Sequence, residues 1–149
     1  MISAKELLVF LVLCSFTAFT AEGFKSLNCT DFGSRRHNAR GTGYFPDNST
    51  MEGGTTDMHG KPLHTLQKYL AGGAPFVSTA MDNTIGIAYG TPLCIPQLNI
   101  KYKQLIKFEV VDTGSAFIHK GYSRIDICTK DKEHSWDPTI NGPLTLVFQ

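Results

Sequence analysis

Two aspartates near the C-terminal end, Asp112 and Asp126, have surroundings that can turn a carboxyl into an acid catalyst. Asp112 follows Val110-Val111 at the end of the β-type run 108–111, and Asp126 lies between Ile125 and Ile127 in the run Arg124–Cys128. Gly114 and Gly121 mark the connection between the two runs. Side chains alternate along a strand. If Ile125 and Ile127 face the core, Arg124, Asp126 and Cys128 point the other way. An acid set between two isoleucines lies close to the interior, where loss of hydration raises a carboxyl pKa. A carboxyl that keeps its proton near neutral pH can serve as a general acid. A structural reading accounts for the same residues: Asp112 makes an Asx-type turn with Thr113-Gly114, and Asp126 pairs with Arg124. Spacing alone favours the structural reading.

Other catalytic patterns are missing. The sequence has no G-x-S-x-G elbow, no P-loop and no H-E-x-x-H helix. Its five histidines are scattered, with no pair at zinc-ligand spacing, and no two cysteines stand at ligand spacing. Neither a metal nor a cofactor is expected. A formal net charge of +1 is too weak for a nucleic-acid binder, which carries a concentrated basic face.

The order Asp-Thr-Gly-Ser-Ala-Phe, then Lys-Gly, then Ile-Asp resembles the signature of the three-aspartate (3D) domain. That family includes secreted bacterial cell-wall proteins and membrane-bound lytic transglycosylase A. Asp112, Thr113, Gly114, Ala116, Lys120, Gly121, Ile125 and Asp126 fit its pattern. A third aspartate, Asp82, follows the apolar run 77–81, and Gly90-Thr91 stands where the family has a Gly-Thr turn. Ser115 replaces a family glycine, the spacer before Asp126 is longer, and Ile85-Gly86-Ile87 is an insertion.

The resemblance implies a mainly β fold, a six-stranded double-psi β-barrel with one short packed helix, shared more distantly with rare lipoprotein A and expansins. It also implies lytic transglycosylation of peptidoglycan. Asp126 would be the single acid–base, Asp112 a neighbouring charge that helps keep it protonated, and Asp82 an orienting group in the groove. The turn at Thr113-Gly114 would lend N–H donors to the sugar. Tyr44, in Thr42-Gly43-Tyr44, would stack on a pyranose ring, or else be an ordinary half-buried strand aromatic. An ordinary glycosidase needs a second carboxylate, for which Glu52 is the first candidate. The expected partner is a cell-wall polysaccharide. Two readings from other classes stay open: a non-catalytic, expansin-like carbohydrate-binding module, and a secreted toxin or defence protein that has lost the activity.

The elements that must position these residues are read as follows. Residues 1–23 have the shape of a signal peptide: Lys5, an apolar run at 7–13, and small residues up to an expected cleavage after Gly23. Residues 24–149 are then one secreted, extracellular domain of ordinary size, expected to be a monomer outside any membrane. The sequons Asn28-Cys29-Thr30 and Asn48-Ser49-Thr50 mark glycosylation at Asn28 and Asn48. Cys29, Cys94 and Cys128 survive cleavage. Cys94 and Cys128 both fall in strand-like runs of the family-like core, so they are the expected disulfide, with Cys29 free.

Residues 24–40 read as irregular, with Arg35-Arg36-His37 a solvated surface. Strands are expected at 41–46, 76–81, 92–96, 105–111, Arg124–Cys128 and 144–148. One helix is expected at 63–71, opened by Pro62 and burying Leu63, Leu66 and Leu70. His64, beside that face, is a site residue or, more often in such a place, structural. Trp136 is a sugar platform or a cap over the barrel end.

Overall fold

The computed structural model describes residues 26–49 and 53–149. The expected signal peptide and Glu52 lie outside them. The fold is mainly β, with six strands: β1 Arg35–Tyr44, β2 Val77–Ala80, β3 Thr91–Leu93, β4 Phe108–Asp112, β5 Arg124–Cys128 and β6 Pro143–Phe148. They form one mixed sheet in the order β3-β4-β2-β5-β1-β6. The pairs β1/β5 and β2/β4 are parallel, and the remaining three are antiparallel. The two outer strands nearly close the sheet into a barrel. Cys94, just past β3, and Val147 on β6 exchange both backbone hydrogen bonds, at 3.0 and 2.9 Å. Closure leaves little unpaired edge to recruit another chain. A six-stranded barrel of this kind is compatible with a double-psi barrel.

Ile125 and Ile127 are fully buried, among Val77, Phe108, Val110, Leu144 and Leu146. Burying each such side chain contributes about 1.5–3 kcal/mol. With the isoleucines inside, the alternation turns Arg124, Asp126 and Cys128 to the opposite face of the strand, as expected, where Cys128 is covered by Tyr44, Leu63 and Phe117.

The first strand begins earlier than its composition indicates. Arg35–Arg40 was expected to be irregular but pairs with Phe148–Pro143 of β6. Arg36, Asn38 and Arg40 are exposed while Ala39 and Gly41 are buried. The inward positions are filled by small residues, so no apolar run announces the strand. Gly43 on the same strand has a steric reason: a Cβ there would stand 2.5 Å from the Ser135 carbonyl oxygen.

Among the described residues, three short helices stand where one was expected: α1 Leu66–Leu70, α2 Pro96–Tyr102 and α3 Lys132–Ser135. Helix α1 starts three residues later than Leu63, because the Thr65 hydroxyl accepts from the Lys68 N–H and sets the N-cap there. Pro96 sits in the first turn of α2 rather than ending a strand, a position where its missing N–H costs nothing. Asp131 caps α3 by accepting from the His134 N–H at 3.0 Å.

The disulfide also differs from expectation. Cys29 bonds Cys94, with Cα atoms 6.0 Å apart, and Cys128 is free and buried. Cys94 follows β3 and Cys128 ends β5, and two strands lie between them whichever way the barrel is followed. Across a ring of six strands, opposite strands stand about two spacings apart, about 10 Å, beyond the reach of a disulfide. Shared membership of the barrel did not imply contact. Asn99, fully buried, completes the junction: its amide donates to the Leu27 carbonyl at 3.3 Å and accepts from the Ile106 N–H at 2.9 Å.

Candidate active site

Three strand pairings bring the site together. Thr42 on β1 pairs with Asp126 on β5, Asp126 pairs with Ala80 on β2, and Ala80 pairs with Asp112 on β4. The result is one row across the outer face of the barrel: Thr42, Asp126, Ala80, Asp112. The last pairing depends on a bulge. Val77, Ser78 and Thr79 pair with Phe108, Glu109 and Val110, after which the register slips by one. Bulges commonly re-aim a side chain beside a functional site. Here the slip turns Asp112 onto the face that holds Asp126.

A cavity of about 410 Å³ lies over this row, lined by Thr42, Tyr44, Asp112, Thr113, Asp126 and Arg124 among others. The turn Ser115–Phe117 and Gly53 form its other walls. Asp126 is held by one oxygen only. Its Oδ1 accepts from the Thr42 hydroxyl and, at 3.4 Å, from Arg124 Nε. Its Oδ2 has no partner among the described residues. Burial pushes the Asp126 carboxyl above its usual range, against the opposing effects of Thr42 and Arg124. Asp112 is similar: burial raises its pKa, the nearby Asp57 charge adds to this, and the Thr113 N–H and Tyr44 hydroxyl oppose it. Carboxyls raised in this way keep a proton to higher pH than free ones do, and one with a free oxygen can donate it to a bound ligand.

Each expected residue has a definite place. Thr113 donates its N–H to Asp112 Oδ1 at 2.9 Å, so that donor serves the aspartate before any sugar. Gly114 lines the cavity and adopts extended backbone. Tyr44 is 8% exposed, its ring packed with Leu63, Ala80, Phe117 and Cys128. Tyr44 lines the cavity, but that burial leaves little of its ring face open to it. Its hydroxyl is buried, faces Cys128, Asp112 and Asp126, and makes no hydrogen bond of good geometry. Burial pushes the Cys128 thiol up to about 12, which makes it a packing group.

Asp82 does not line the cavity. It is 1% exposed, and both oxygens are engaged: Oδ1 by the Thr84 N–H and hydroxyl at 2.9 and 2.6 Å, Oδ2 by the Gly121 N–H at 2.9 Å. The Thr84 hydroxyl and the Gly121 N–H hold its pKa at about 2. Asp82 therefore ties the turn after β2 to the turn before β5. Gly121 has φ +54°, which favours glycine there. His64 packs edge-on against Phe76 and lies outside the cavity. Trp136, 72% exposed, is no cap. Asn28 and Asn48 are both exposed, and Thr50 of the second sequon lies outside the described residues.

Asp57 was not anticipated. Its carboxylate accepts from the His59 and Lys61 N–H groups, each at 2.9 Å, and from the Tyr89 hydroxyl at 2.5 Å. Those bonds order the glycine-rich loop and hold the Asp57 charge close enough to act on Asp112. The local signal was Asp57-x-His59-Gly60, an Asx-type turn with Gly60 at φ +74°.

Among the described residues, no three His, Cys, Asp or Glu side chains are grouped to hold a metal ion. No helix there is long and apolar enough to cross a membrane. No known protein family matches the chain, and no curated protein matches it either.

Proposed function

We propose that this chain is a secreted, glycan-cleaving protein of the three-aspartate, double-psi barrel type, acting on bacterial peptidoglycan as a lytic transglycosylase. Asp126 is its single acid–base. The observation that carries this reading is the state of that carboxyl: half-buried, raised in pKa, one oxygen fixed by Thr42 and Arg124, the other unengaged beside a sugar-sized cavity. Asp126 gives its proton to the glycosidic oxygen as the bond to the anomeric carbon breaks. The resulting carboxylate then takes the proton of the sugar's own 6-hydroxyl, which attacks that carbon. The products are a 1,6-anhydro sugar and a free hydroxyl end, and Asp126 regains its proton. The Cys29–Cys94 disulfide is compatible with an extracellular site of action.

The test is digestion of purified peptidoglycan with mass spectrometry of the products. Anhydro-muropeptides without new reducing ends support the reading. Products heavier by one water indicate a hydrolase, with Asp112 the second carboxylate to examine. Two strand spacings, about 10 Å between backbones, separate it from Asp126, which leaves room for an attacking water. Binding without any release favours the expansin-like module or a protein that has lost the activity.

A further inference from the structure

We infer that Arg40 and Arg124 form an anion subsite beside the Asp126 cavity, and that the glycan taken there carries a carboxylate or sulfate on the sugar next to the reacting one. The inference rests on the glycan reading above and narrows its substrate to strands with free acid groups, in peptidoglycan those whose lactyl carboxylates carry no peptide. Arg40 on β1 and Arg124 on β5 are partners in the parallel register, two residues before the pair Thr42 and Asp126. Residues two apart share a face, so all four line one outward strip. The two rows stand about 7 Å apart, a span comparable to one sugar residue with its substituent.

Like charges directly opposite one another destabilise a sheet. Arg40 is exposed and makes no ion pair among the described residues. Arg124 has one carboxylate contact, Asp126 at 3.4 Å. When Asp126 holds its proton, as acid catalysis requires, Arg124 loses its anionic partner. The strip then presents two guanidiniums and no negative charge between them. A carboxylate or sulfate bridging them supplies that charge, and the planar donor fork of arginine matches either group. The Arg124 guanidinium lies over the Phe117 ring, 5.1 Å from its centroid, which helps hold it in place. Arg124 also favours the ionised form of Asp126. An anion bound at the subsite weakens that effect, so an acidic substrate helps keep the proton on the acid that cleaves it.

The experiment measures binding to Asp126→Asn, which cannot turn the substrate over. Three tetrasaccharides serve as probes: neutral chitotetraose, the peptide-free N-acetylglucosamine–N-acetylmuramic acid tetrasaccharide with free lactyl carboxylates, and 6-O-sulfated chitotetraose. The expected result is that at least one acidic probe binds about tenfold or more tightly than chitotetraose. That preference should shrink with added salt and disappear when Arg40→Gln is added. Whichever acidic probe shows it identifies the carboxylate or the sulfate as the recognised group. Equal binding of neutral and acidic probes, or a preference that survives Arg40→Gln, overturns the subsite and leaves the glycan reading standing. No binding of any probe overturns both. Salt dependence in Asp126→Asn alone reads the subsite even if the double variant fails to fold.

Discussion

Ala80 pairs with Asp112 one residue past the register that its strand keeps up to Thr79. Because Ala80 also pairs with Asp126, its methyl group lies between the two aspartates in the row. That position is 4% exposed and packed against Tyr44, Leu63 and Phe117.

Ala80→Leu should therefore fill the floor of the cavity. Overpacking of this kind typically costs about 1–3 kcal/mol, which a closed barrel should survive. The expected outcome is a folded protein by circular dichroism that no longer clears peptidoglycan in a turbidity assay. Undiminished clearing would mean that the row is not where the chemistry happens.

Asp126→Asn keeps the side-chain size and an oxygen for Thr42, but removes the transferable proton. General acid catalysis typically contributes 10²–10⁴-fold, so activity should drop at least about a hundredfold with glycan binding retained. Asp82→Asn should leave activity per folded molecule nearly intact and lower the melting temperature instead, because both Asp82 oxygens tie turns together. Equal activity losses in the two variants would contradict this division of roles.

The two kinds of aspartate should show opposite pH signatures. An unfolded aspartate titrates near about 3.9. Burial raises Asp112 and Asp126 above that, so their contribution is full below pH ~4 and is lost as pH rises through the folded-state pKa. Asp112→Asn should thus raise the melting temperature at pH 7 and do nothing at pH 3. Asp82, held at about 2 by Thr84 and Gly121, contributes above pH ~4 and loses that contribution as pH falls towards 2. Thermal melts of both variants across pH 2–8 check the signs.

Reduction of Cys29–Cys94 should cost about 2–5 kcal/mol, visible as a lower melting temperature. Cys128→Ser should not reproduce that loss through any crosslink. Peptide mapping of the oxidised protein that recovers Cys94 joined to Cys128 would refute the pairing.

Much of the barrel was legible because Ile125-Asp126-Ile127 and its counterparts alternate with a period of two, and β5 has the expected limits. The start of β1 was not, because a strand whose inward positions are Ala39 and Gly41 carries no apolar signal. Helix α2 was hidden by Leu93-Cys94-Ile95, an apolar run that reads as strand until Pro96 restarts the chain as helix. At the site, Asp126 and Asp112 could be picked out from their neighbours in sequence. Their common face could not, since it depends on a register slip between β2 and β4 that neither strand encodes alone. Asp82 has the same local look as the other two, and only its partners, Thr84 and Gly121, separate it from them. The disulfide pairing Cys29–Cys94 is hidden for a related reason: spacing along the chain says nothing of how many strands lie between two positions.

The bond from Cys29 to Cys94 has a consequence for how copies of this protein meet. Strand β1 follows Cys29, and Cys94 sits at the barrel seam beside Val147. An N-terminal strand is the natural arm to be lent to a neighbouring copy, since it needs only one hinge to leave. Here the arm is fastened to its own barrel ahead of its first residue, so it is a loop and has no free end to lend. Strand exchange through β1 should be closed to the oxidised protein and open to the reduced one. Concentrated samples should yield dimers by size exclusion only after reduction, and an equal dimer fraction in both states would show that the clasp plays no such part.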